Sequence, residues 1–201
     1  MTAHHLPDVD AVTINAAQAV ITEHGLAGLT VERLAETAGT SRMTLHRRQI
    51  TRPVVIDALL RRAADEYAVA LWPALTSPST GAERLSMALD AICAVADEHL
   101  ALLAGVFAAT ESPFHSVDDT PTTDTETHDL FVAPLARLLH DGALDGTLDQ
   151  VDDAMETAAV LFNVIGWGYV HLRHAQRWPV ERARTGVVSL AVNALRPRHP
   201  G

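Results

Sequence analysis

The chain has 201 residues, and its 25 acidic and 15 basic side chains give it a formal net charge of −10. All 15 of those basic residues are Arg. With 48% hydrophobic and 20% charged residues, the composition is that of a globular protein and excludes a disordered chain. The single cysteine, Cys93, excludes an intramolecular disulfide and a multi-cysteine metal site, and it favours a reducing compartment.

The sequence carries no pattern for secretion or membrane insertion. Its first twenty residues lack the basic start and apolar run of a signal peptide. The longest apolar runs, residues 100–109 and 158–170, are shorter than the ~20 residues that cross a bilayer. We therefore expect a cytoplasmic protein with no membrane partner.

Apolar residues recur with helical spacing along nearly the whole chain, which predicts an all-α fold of about nine helices. Helix stops are expected at Gly25, Gly39 and Pro73. Residues 111–125 form a polar, acidic loop candidate, and residues 141–147 form a turn with Gly142. The predicted helices cover residues 10–24, 31–38, 40–48, 53–72, 81–97, 99–110, 126–140, 151–174 and 180–195.

Residues 31–50 have the spacing of a helix-turn-helix motif. The small side chain of Ala35 lets two short helices approach closely, and Gly39 can adopt the left-handed conformation of a sharp turn. Leu34 and Leu45 can face a shared core. In such a motif the second of these helices enters the major groove of DNA.

The net charge of −10 argues against nucleic-acid binding only if it is evenly spread, and it is not. Residues 41–62 hold six Arg and one Asp, and residues 63–201 carry −11. Arg can pair bidentately with phosphate or with guanine, and the helix N-termini at Thr30 and Ser41 offer further phosphate donors. The side chains that supply cations or compact hydrogen-bonding groups are Ser41, Arg42, Thr44, His46, Arg47, Arg48 and Arg52.

Residues 10–60 resemble the N-terminal domain of the TetR (tetracycline-repressor-like) transcriptional regulators. The residues that carry the resemblance are Glu23-His24-Gly25-Leu26, Thr30-Val31-x-x-Leu34-Ala35-x-x-Ala38-Gly39-Thr40-Ser41 and Thr44-Leu45. The resemblance implies a homodimeric regulator with a helix-turn-helix domain, residues 1–52, and a helical effector-binding and dimerisation domain, residues 53–201. Beyond residue 60 it is architectural only.

By position, the resemblance implies DNA contacts from two helices and from the start of a third. The residues concerned are Thr30, Arg33, Arg42, Met43, Thr44, His46, Arg47 and Arg52. Two residues depart from the family, because His46 stands where a Tyr is usual and Gln49 where a Phe is usual. The usual Phe anchors the end of the recognition helix in the core, so Gln49 puts the placement of that helix in question.

The second domain lacks a recognisable catalytic motif and holds most of the large side chains. A pocket for a small apolar effector is the expectation from the family, since ligand pockets are mostly apolar with a few oriented polar groups. The candidate lining residues are His99, Phe107, Phe131, Asn163, Trp167 and His171.

The last two helices are the predicted dimer interface. Residues 158–170 are apolar around most of the helix circumference, which requires burial on more than one side. Gly166 and Gly168 are poor helix residues that can permit a partner helix to approach closely. A dimer would place two recognition helices ~34 Å apart on a palindromic operator.

Two other functions stay open. A dimeric small-molecule-binding protein that has lost DNA binding would explain His46 and Gln49. An all-α metal-dependent enzyme would use residues 97–99 or the pair His171 and His174, but spacing supplies no third ligand to that pair. Because the regulator is favoured over both alternatives, we expect no metal, no other cofactor and no catalytic residues.

Overall fold

A computed structural model describes residues 9–109 and 128–197. Within those ranges the chain forms nine α-helices and no β-strand, which confirms the all-α prediction. The helices are α1 (Ala11–His24), α2 (Val31–Thr37), α3 (Arg42–Arg47), α4 (Arg52–Thr76), α5 (Gly81–Glu98), α6 (Leu100–Ala109), α7 (Ala133–Leu144), α8 (Ala154–His174) and α9 (Val180–Ala194). A 3-10 turn covers Leu26–Gly28 and a π turn covers His128–Val132. The predicted loop at residues 111–125 lies outside the described residues.

The described chain divides by packing into two compact units. The N-terminal unit comprises residues 9–64 and 101–109, and the C-terminal unit comprises residues 65–100 and 128–197. The division therefore falls inside α4. The functional boundary at residues 52/53 stays a prediction.

The core of the N-terminal unit joins α1, α2, α3, the start of α4 and α6. Leu34 and Leu45 are buried in it, as their spacing predicted, together with Ile21, Leu59 and Leu102. Burial of one such side chain contributes roughly 1.5–3 kcal/mol.

The C-terminal unit is a helical bundle in which α5, α7, α8 and α9 pack together. Two glycines allow α5 and α7 to approach each other closely, because a Cβ on Gly81 would lie 2.2 Å from the Gly142 Cα. Gly142 therefore lies within α7 and packs against Leu148, so the predicted turn at residues 141–147 was wrong in its first half. The chain turns only after Leu144, at Gly146.

The sequence predicted that α4 ends before Pro73, but the helix continues to Thr76. Leu71 and Ala74 are buried on either side of the proline, which favours the helical path. The Arg84 guanidinium donates to the carbonyls of Ala74 and Leu75 at 2.8 and 3.2 Å. Arg84 thus bonds carbonyls that the last turn leaves without intrahelical partners.

None of the nine described helices combines the length and the apolar composition that a membrane span requires. Only α5 and α6 taken together have the required length and composition, and they are separate helices broken at His99.

Candidate nucleic-acid interface

Local capping positions α2 and α3. The Thr30 hydroxyl accepts a hydrogen bond from the Arg33 N–H at 3.3 Å, and the Ser41 hydroxyl accepts one from the Thr44 N–H at 3.1 Å. Between them Gly39 has φ +64°, which a glycine adopts without strain. The Thr40 N–H donates to the Ala35 carbonyl at 2.9 Å and closes the turn. Short-range bonds therefore fix the helix-turn-helix.

The end of α3 is formed by Gln49 and Ile50. Gln49 is exposed and has φ +56°, a left-handed conformation that normally favours glycine. The Gln49 and Ile50 N–H groups donate to the carbonyls of His46 and Leu45, which is the Schellman arrangement. Ile50 is 2% exposed, so it anchors the helix end in the core. The anchor expected from an aromatic residue at position 49 is thus supplied one residue later.

The outer face of α3 is polar and exposed. Ser41, Arg42, His46 and Arg47 are exposed, and the Met43 side chain is 74% exposed. Thr44 is half-buried, and its hydroxyl contacts that of Ser41 at 2.9 Å. Leu45 on the opposite side is fully buried. The helix therefore presents the predicted contact residues to solvent.

Two of the predicted DNA-binding arginines hold the protein backbone. Arg33 donates from Nη1 to the Gly28 carbonyl at 3.1 Å. Arg52 donates from Nη2 to the Leu26 carbonyl at 3.1 Å, which ties the start of α4 to the 3-10 turn. Both guanidinium groups have further N–H donors, since Arg carries five.

Two others pair with carboxylates. Arg42 lies 3.2 Å from the Glu32 carboxylate, and Arg48 lies 2.6 Å from the Asp10 carboxylate. The Thr13 N–H and then Arg48 lower the pKa of Asp10 to about 2. Arg47 is exposed and has no ion-pair or hydrogen-bond partner within the described ranges.

In the C-terminal unit, Phe131 lies in an aromatic cluster. Its ring centroid is 4.9 Å from that of Tyr67 and 4.6 Å from that of Phe162. Tyr67 is 2% exposed, and its hydroxyl has no hydrogen-bond partner among the described residues. Burial raises the pKa of Tyr67 well above its usual value. An apolar cluster with an unbonded hydroxyl is suited to a ligand that carries one polar group.

His99 is 3% exposed, and its Nε2 lies 2.6 Å from Glu66 Oε2. The other nitrogen, Nδ1, is buried with no partner within the described part of the chain.

The remaining pocket candidates lie on α8 and α6, and three of them are exposed. Asn163 is exposed and donates its amide to the Ala159 carbonyl at 2.8 Å. Trp167 is 44% exposed, and His171 is exposed on the same helix, α8. Phe107 lies half-buried on α6. Their role in a pocket stays a prediction.

Sequence reasoning missed Tyr67 and Glu66, two neighbours on α4. Tyr67 looks like any core aromatic at helical spacing. Glu66 is separated from His99 by 33 residues, and no local pattern signals that pairing.

The exposed face of α8 carries apolar side chains. Val160, Val164 and Trp167 are 55%, 60% and 44% exposed, and Leu190 on α9 is 73% exposed. A Cβ built on Gly166 would meet no heavy atom within 4 Å, and the same holds for Gly168 and for Gly186 on α9. Contacts within the described chain therefore do not explain glycine at these three helical positions.

The described chain is all-α, and α2, the turn at Gly39 and the exposed α3 form a helix-turn-helix near its N-terminus. Residues 14–48 match the family model described as "Bacterial regulatory proteins, tetR family". The chain thus has the fold of TetR-family transcriptional regulators, with the helix-turn-helix of that family near its N-terminus. This confirms the resemblance seen in the sequence. No curated protein matches the chain.

Solved structures share the fold over nearly the whole chain. The ketosteroid transcriptional regulator KstR2 of Mycobacterium tuberculosis has 16% identity and a TM-score of 0.63, with 96% of this chain and 98% of that one covered. The TetR-family regulator PfmR of Thermus thermophilus has 18% identity and a TM-score of 0.69, with 95% and 100% covered. A TetR/AcrR-family regulator of Thermobifida fusca has 17% identity and a TM-score of 0.64, with 92% and 97% covered.

Proposed function

We propose that the chain is a ligand-responsive transcriptional repressor that binds a palindromic operator as a homodimer. The observation that carries the proposal is the outer face of α3, where Arg47 is exposed and unpaired in the described chain. A cation in that state can meet a phosphate or a guanine edge without first losing a protein partner. We propose residues 1–52 as the DNA-binding domain and residues 53–201 as the effector and dimer domain.

On DNA, α3 would lie in the major groove. Met43, Thr44, His46 and Arg47 would face base edges and the nearest phosphates, while Ser41 would offer backbone N–H groups at the start of the helix. Thr30 at the start of α2 would contact phosphate.

The four arginines that already bond carbonyls or carboxylates of the protein would also contact DNA. Arg33 and Arg52 would orient the motif through their carbonyl bonds and still offer spare donors to phosphate. Arg42 and Arg48 would exchange their carboxylate partners for phosphates.

The homodimer would form through α8 and α9. The exposed Val160, Val164 and Leu190 give an apolar surface that a second copy can bury. The open space beside Gly166 would let the partner helix come close. The two recognition helices would then read half-sites one helical turn apart.

A small, largely apolar effector would act through α4 and α6. We propose the aromatic cluster of Tyr67, Phe131 and Phe162 as its site, with the unbonded Tyr67 hydroxyl as the polar group. Arg52, at the other end of α4, bonds the Leu26 carbonyl, and Gly105 on α6 packs against the Leu26 side chain. A shift of either helix would move the turn before α2. A coupling of ~1–3 kcal/mol would change operator affinity 5–150-fold.

Genomic footprinting of the purified full chain tests the proposal. We expect protection of short palindromic sites, including sites upstream of the chain's own coding sequence. If the protein protects no site and a DNA shift assay with that upstream DNA is also negative, the repressor proposal is contradicted and the alternative of a ligand-binding protein without DNA binding is favoured.

A further inference from the structure

Three potential metal ligands meet in the C-terminal unit, at Glu66 on α4 and at Glu98 and His99 at the end of α5. Each offers one ligand atom, and the three atoms all lie within 4.8 Å of one another. The group differs from a surface cluster of acids because its imidazole is 3% exposed, with one nitrogen directed at a carboxylate. We propose that these residues bind one divalent transition-metal ion, Zn²⁺.

The donor set matches the chemistry of that ion. Zn²⁺ binds imidazole nitrogen and carboxylate oxygen at about 2.0–2.2 Å, and three protein ligands leave a fourth position for water or a further ligand. Two such ligands lie about 3.4 Å apart in a tetrahedral site. His99 Nε2 and Glu66 Oε2 are 2.6 Å apart, so a small outward movement of the Glu66 side chain makes room for the ion.

Exposure is graded across the three residues. His99 is buried, Glu66 is half-buried and Glu98 is exposed. An ion can therefore enter from the Glu98 side and exchange water for Glu66 and His99 in turn. The open position of the ion would face solvent on that side.

Ion binding at His99 Nε2 would fix the tautomer of the ring. A metal ion bound there requires Nε2 to be deprotonated. The neutral ring then keeps its proton on Nδ1, which has no acceptor among the described residues. Metal-ligating histidines usually have such an acceptor, and its loss weakens binding by about 10–100-fold. We therefore expect a dissociation constant in the micromolar range, weaker than that of a closed structural site.

The test is a titration of chelator-stripped full chain with Zn²⁺, in competition with a chromophoric chelator. We expect one ion per chain, and a melting temperature that rises with Zn²⁺ because only the folded chain assembles the site. Glu66→Gln and Glu98→Gln should each weaken binding roughly tenfold or more. His99→Gln should do the same, and the exposed Glu98 keeps the test valid if that buried variant fails to fold.

Two controls separate this site from other surface ligands. Glu156→Gln removes an exposed carboxylate from α8, and a double alanine variant at His171 and His174 removes the other candidate chelating pair. Both should bind Zn²⁺ like the unchanged chain. The proposal is overturned if the chain binds no Zn²⁺, if both Glu66→Gln and Glu98→Gln bind it unchanged, or if the His171 and His174 variant alone loses it.

Discussion

At the scale of single residues, the arginines of the N-terminal unit differ in what their guanidinium groups contact. Arg33 and Arg52 hold backbone carbonyls, and Arg42 and Arg48 face carboxylates. The positive charge of residues 41–62 is therefore partly neutralised before any DNA arrives. Arg47 keeps its full charge available.

Replacing Arg47 with alanine should weaken operator binding without unfolding the chain, because the side chain is exposed. Each phosphate contact releases about one counterion, so the slope of log affinity against log salt should become smaller in magnitude by about 0.9 per chain, or about 1.8 for the dimer. Fluorescence anisotropy at several salt concentrations measures both effects. Arg137→Ala removes the same charge from an exposed position on α7 and should change neither. An unaltered slope for Arg47→Ala would remove Arg47 from the interface.

Gln49 is a residue at which the chain tolerates strain. Its φ of +56° is costly for a side chain with a Cβ, whereas glycine adopts it freely. Gln49→Gly should therefore raise the free energy of unfolding by about 0.5–1 kcal/mol, after the entropy that glycine gains in the unfolded state. Urea denaturation measures the change. Gln49→Ala removes the same side chain but keeps the Cβ, and it should give no gain. Equal stabilities of the two variants would contradict a left-handed position 49.

At the scale of helices and turns, most boundaries could be predicted because their signals are local. Asp10, Thr30 and Ser41 cap the helices that follow them, and Gly25 and Gly39 end the helices before them with positive φ. Each of these signals is a residue type within three or four positions of the boundary.

The predicted ends of α4 and α7 were wrong because residues distant in sequence determine where these helices end. α4 continues past Pro73 because Arg84 binds its last carbonyls. α7 continues past Gly142 because that glycine meets Gly81 and Leu148. No local pattern contains these contacts.

The candidate DNA-binding site likewise has features that could be predicted from the sequence and features that could not. The exposed face of α3 could be predicted because Leu45 fixes which side of a short helix is buried. The partners of the arginines could not, since Arg48 meets Asp10 and Arg52 meets Leu26 only in the folded chain.

Gly105 on α6 permits a contact that we expect to matter for both stability and regulation. A Cβ at this position would lie 2.3 Å from the Leu26 Cβ, and Leu26 is 6% exposed. Gly105→Ala should therefore destabilise the chain by about 1–3 kcal/mol through overpacking. Thermal unfolding measures this, and Ala108→Ser at an exposed position of α6 should have little effect. A stabilised Gly105→Ala variant would show that α6 does not approach the turn.

At the scale of the whole molecule, the proposed function needs two chains. Val164→Asp would place an unpaired charge in the proposed α8 and α9 interface, where desolvation is costly. The unchanged chain should sediment at twice the 21.6 kDa chain mass, and Val164→Asp should sediment as a folded monomer. Val69→Asp carries the same change to α4, where Val69 is 76% exposed, and should remain a dimer. A dimeric Val164→Asp variant would place the interface elsewhere.

The distribution of charge along the sequence is consistent with the proposed DNA contact through residues 41–62. Residues 63–201 carry −11, which opposes non-specific contact with phosphate by that part of the chain. We therefore expect any contact with DNA to involve the Arg-rich segment around α3.

The most direct measurement is a selection of bound sequences from random double-stranded DNA by the full chain, followed by titration of the enriched site. We expect a palindrome bound by two chains, with affinity at least about 10³-fold above that for a scrambled duplex at physiological salt. No enrichment, or equal affinity for the scrambled duplex, would contradict it.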